Sequence, residues 1–74
     1  MSNNEKRNNF KRISGKRMED TIEKFRLIGN LANTSNYEYT SMDVERIFNT
    51  LRRELFAQEK KFKSKINQNK IYSW

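Results

Sequence analysis

From Ser41 to the end of the chain, 34 residues run without a single glycine or proline. Within that run apolar residues recur at Val44, Phe48, Leu51 and Leu55, at spacings of four, three and four. An α helix carries such residues on one face, whereas a half-buried strand would alternate every second residue. Gln58 interrupts the stripe, Phe62 and Ile66 resume it, and Ile47 broadens it. The pattern is a heptad-like seam with one polar layer. Thr40 or Ser41 is suited to the N-cap, and Asp43 and Glu45 suit the positive end of the helix dipole. The spacing predicts a helix over about 41–65, roughly 36 Å long.

An earlier segment carries the same period. Met18, Ile22, Phe25, Gly29 and Ala32 alternate at spacings of four and three, which predicts a helix over about 16–32. Leu27 and Leu31 point away from that stripe and give the helix a second apolar surface. Gly29-Asn30 is suited to ending the helix, because both residues tolerate positive φ. Asn33-Thr34-Ser35-Asn36 has loop composition, and Tyr37-Glu38-Tyr39 alternates like a short extended piece. One tyrosine is expected to pack on the helices and the other to stay half exposed.

Two amphipathic helices with a short connector predict an all-α, antiparallel two-helix hairpin. With 74 residues, 34% of them hydrophobic, such a hairpin has a thin core. No cysteine is present to staple it. Dimerisation into a four-helix bundle is the expected way to bury both apolar faces. The alternative is a ribbon-helix-helix dimer with Phe10-Lys11-Arg12-Ile13-Ser14 as its strand. In the hairpin reading, residues 1–14 form a basic flexible tail, 15–66 the helical domain and 67–74 a C-terminal tail.

Charge divides the chain more sharply than hydropathy does. The net charge is +7, but residues 1–17 carry +5, 18–40 carry −2, 41–59 carry −1 and 60–74 carry +5. The excess lies in the two flanks, which an antiparallel hairpin would bring to one pole. Lys16 and Arg17, near the expected start of the first helix, oppose its dipole, whereas the lysines after Lys60 agree with the dipole of the second. Arg46, Arg53 and Lys60 also repeat every seven residues, opposite the apolar seam. Clustered Lys and Arg release condensed counterions when they neutralise phosphates. The candidate phosphate-contacting residues are therefore Lys6, Arg7, Lys11, Arg12, Lys16, Arg17, Arg46, Arg53, Lys60, Lys61, Lys63 and Lys65. Phe10, Tyr72 and Trp74 lie among the charges and could stack on bases.

Several function classes have no support in the residues. There is no histidine, no cysteine and no glycine-rich phosphate loop, so no cofactor is expected. Glu19, Asp20 and Glu23 have the spacing of ordinary solvated helix carboxylates. No apolar run could cross a membrane, and the polar N-terminus does not resemble a secretory signal. A cytoplasmic location is expected. Neither a catalytic role nor a small-molecule substrate is expected. The sequence favours a non-catalytic accessory or regulatory protein that binds nucleic acid, DNA in preference to RNA, and forms a homo-oligomer. The alternative is a helical interaction module docking on a larger protein through Leu27, Leu31 or the Val44, Phe48, Leu51, Leu55 and Phe62 seam, with the basic ends only steering association.

Overall fold

A computed structural model describes residues 3–69 of the chain. It is all-α: two helices, with no strand among the described residues. Helix α1 spans Asn3–Asn30 and helix α2 spans Ser41–Asn69. The chain divides into two units, Met1–Glu38 and Tyr39–Trp74, each built around one helix.

Helix α1 begins at Asn3, well before the expected position near 16. Residues 3–14 are therefore helical. The apolar period is absent there, so local terms carry the extension. No proline interrupts it, and Lys, Arg and Glu lose little on entering a helix. Glu5 lies in the first turn, at the positive end of the dipole. Further along, the Arg12 guanidinium donates to Asn9 Oδ1 at 3.4 Å, and Lys16 pairs with Asp20 at 3.9 Å one turn on. The same result overturns the ribbon-helix-helix alternative, because Phe10–Ser14 lies inside α1 rather than in a strand.

The last turn of α1 closes without a left-handed glycine. Gly29 does not adopt a positive φ. The amides of Leu31, Ala32 and Asn33 instead donate to the carbonyls of Ile28, Gly29 and Asn30 at 3.1–3.3 Å, tightening the helix end to an i→i+3 pattern. Asn33 then shapes the connector. Its side-chain oxygen accepts from the Ser35 amide at 3.0 Å, and its carbonyl accepts from the amides of Asn36 and Tyr37. Tyr37 is 49% exposed and Tyr39 41% exposed.

Helix α2 starts on a reciprocal cap. The Asp43 amide donates to Thr40 Oγ1 at 3.1 Å, and the Thr40 amide donates to Asp43 Oδ2 at 2.9 Å. Thr40 is thus the N-cap, and Asp43 takes the place that Glu or Gln holds in the usual capping box. The Thr40 carbonyl accepts the first helical bond, from the Val44 amide. Two hydrogen bonds from Thr40 hold the Asp43 carboxyl below its ordinary range, backbone first and hydroxyl second, with Arg46 contributing. The helix continues to Asn69, past the expected end near 65.

No residue among those described is buried. The least exposed apolar side chains of α2 include Ile47, Leu51 and Ile66, all on the seam. Each unit is therefore a secondary-structure element with an apolar face open to solvent.

Candidate nucleic-acid interface

The predicted basic residues fall into two sets, one on each helix. Lys6, Arg7, Lys11, Arg12, Lys16 and Arg17 lie between the first turn and the middle of α1. Their positions run around the helix, so this set forms a positive collar rather than a stripe. Gly15 lacks a side chain at the collar's end and opens a shallow depression lined by Arg12, Ile13, Lys16, Arg17 and Glu19. Because α1 begins at Asn3, Lys16 and Arg17 lie mid-helix and do not face its N-terminal dipole. Lys6 and Arg7 take the unfavourable position.

Lys60, Lys61, Lys63 and Lys65 lie inside α2, whose last turn contains no basic residue. Lys63 pairs with Glu59 at 3.9 Å, an exposed pair of small energetic weight.

The ordered organisation lies on the outer face of α2. Met42, Arg46, Asn49, Arg53, Phe56, Lys60 and Lys63 follow one another at spacings of four and three throughout. An unbroken helix holds such a series on one face, opposite Val44, Phe48, Leu51, Leu55 and Phe62. The series contains four cations and no acid. Successive members of the Arg46, Arg53 and Lys60 subset stand about 10.5 Å apart along the axis. Part of this face forms an open depression lined by Met42, Glu45, Arg46, Asn49, Arg52 and Arg53. Arg52 is held at its edge by a 3.0 Å hydrogen bond to Asn49 Oδ1.

Phe56 is not among the stacking residues that the sequence suggests, because the stronger apolar seam masks it. It is 67% exposed and sits between Arg53 and Lys60 in the outer series. Met42, in the same series, is 70% exposed. The signal that marks both is a second four-three series offset from the first. Phe10 is also exposed, on α1 among the collar residues. Tyr72 and Trp74 lie outside the described residues.

The interface candidates are all solvent-facing or nearly so. Leu27 is exposed on α1, Leu31 in the turn that follows it, and Leu55 is the most open member of the α2 seam. Helical extension adds Phe10 and Ile13 to the side of α1 that carries Leu27, with Arg17, Asp20 and Lys24 between the two apolar ends. Among the described residues no group of three carboxylates could hold a metal ion, and Asp20 pairs with Lys16 instead. No described helix is long and apolar enough to cross a membrane.

Comparison of the chain with protein-family models, with curated proteins and with solved structures returned no match.

Proposed function

We propose that the chain is a non-catalytic nucleic-acid-binding accessory protein that grips phosphates through its basic helix surfaces. The carrying observation is the outer face of α2, where Arg46, Arg53, Lys60 and Lys63 share one acid-free series with an exposed Phe56. Cations along a rigid helix neutralise phosphates and release counterions, and an exposed aromatic among them offers a stacking surface. The collar on α1 adds six more cations. Phosphate contacts position a protein without reading sequence, so binding has little base preference. DNA is the favoured partner and the cytoplasm the favoured location.

Fluorescence anisotropy of labelled duplex and single-stranded oligonucleotides, at low and high salt, tests this reading. Binding at low salt that weakens steeply with added salt is expected. Absent binding at low salt, or binding indifferent to salt, refutes it.

The exposed apolar surfaces favour a second reading, in which Leu27, Leu31 or the α2 seam docks on a larger protein. In that case Leu27→Asp or Leu31→Asp abolishes function while neutralising the basic residues leaves it intact. The reverse pattern supports nucleic acid.

A further inference from the structure

We infer that the α2 seam is covered by α2 of a second copy of this chain, running parallel and in register, with Gln58 of one copy level with Gln58 of the other. The seam keeps a heptad period from Val44 to Phe62, and Ile66 closes it one turn later. Such a seam is covered by another helix with the same repeat, and α2 of a second copy necessarily carries it. The seam is also large enough. Val44, Phe48, Leu55 and Phe62 are exposed, Leu55 to 68%, and Ile47, Leu51 and Ile66 are partly so. Covering these side chains on two copies removes on the order of 1,000 Å² from water, the size that a specific interface needs.

The one polar member of the seam selects the arrangement. In the parallel, in-register pair, Val44, Phe48, Leu51, Leu55 and Phe62 each lie level with their own counterpart, so every apolar layer has an apolar partner. Gln58 then meets only Gln58. Its amide donates to Glu54 Oε2 of its own helix at 3.3 Å. A second amide hydrogen and the carbonyl oxygen suit a Gln58–Gln58 contact. An antiparallel pair centred on the seam also sets Leu51 level with Leu55 and Val44 with Phe62. It sets Gln58 against Phe48 twice, however, and a ring offers the amide no matching partner. Sliding either pair by one heptad carries Phe48 or Phe62 off the apolar seam of the other copy. A single polar layer fixes register in this way at a cost in affinity. The flanking charges do not decide the arrangement. The parallel pair brings Glu54 near Glu59 of the other copy, an exposed, salt-screened repulsion that is small beside five matched apolar layers. Arg46, Arg53 and Lys60 of each copy face away from the contact.

Sedimentation equilibrium of the full chain without nucleic acid keeps the outcome separate from the proposed function. The wild type is expected to dimerise, and more tightly as salt rises, because salt screens the Glu54–Glu59 contact and the positive charge of each copy. A chain that stays monomeric at high micromolar concentration overturns the inference. Cross-linking reads the orientation, since the natural chain has no cysteine. Ser41→Cys places one thiol at the start of α2, two turns before Phe48 on the seam. In the parallel pair the two thiols are neighbours, whereas in the centred antiparallel pair they stand about 36 Å apart. In a glutathione redox buffer, Ser41→Cys should form at least about tenfold more disulfide-linked dimer than Ser41→Cys/Leu51→Asp, whose seam is broken. Equal cross-linking of the two, in a chain that dimerises, overturns the parallel arrangement. Gln58→Leu should dimerise more tightly, and Ser41→Cys/Gln58→Leu should cross-link less completely per dimer, because the antiparallel pair is then no longer penalised. Undiminished cross-linking overturns the selecting role of Gln58.

Discussion

Thr40 and Asp43 hold the start of α2 by two reciprocal hydrogen bonds, and both sides of that contact are open to perturbation. Thr40→Ala removes the side-chain acceptor and should cost about 1 kcal/mol of helix stability, read as lost ellipticity and a lower thermal midpoint. The Asp43 carboxyl titrates below its ordinary range, so its contribution is complete above the unfolded value of about 3.9 and is lost as pH falls through the folded value. Helicity should therefore decline in acid, and Asp43→Asn should flatten the part of that decline due to the cap. The glycines give the opposite kind of test. A Cβ at Gly15 or Gly29 meets nothing within 4 Å, and neither residue has positive φ. Gly15→Ala and Gly29→Ala should each raise helix stability by about 0.5–1 kcal/mol, measured by circular dichroism. A loss at either site would show that a second surface approaches that backbone closely.

At the scale of the helix, α2 carries two opposed faces with the same four-three rhythm. One is apolar and runs through Val44, Phe48, Leu51 and Leu55. The other runs through Arg46, Arg53, Phe56 and Lys60. Phe56→Ala should weaken single-strand binding by about 1–3 kcal/mol if the ring stacks on a base, with a smaller effect on duplex. Retained affinity would reduce Phe56 to an ordinary exposed residue. The apolar face is legible in the sequence because packing periodicity is a strong signal, and the cap is legible because Thr40 and Asp43 stand at the right spacing. The extension of α1 back to Asn3 is not. Residues 3–14 have no apolar stripe, and their helicity rests on propensity and on contacts such as Arg12 with Asn9, which leave no pattern to read. Phe56 is obscured for a related reason, since a second series is easily taken for noise around the first.

For the whole molecule, the net charge of +7 resolves into a collar on α1 and a series on α2, both inside helices rather than in tails. That location matters for binding. Cations fixed on a helix meet phosphates with less conformational freedom to lose than cations on a disordered segment. The most direct test is the salt dependence of DNA affinity for the wild type and for Arg46→Ala/Arg53→Ala/Lys60→Ala. The wild type should lose affinity steeply as salt rises, and the triple variant should show a slope of log affinity against log salt shallower by about 2–3. Identical slopes for the two proteins, or no binding by the wild type at low salt, would contradict a phosphate-gripping face on α2.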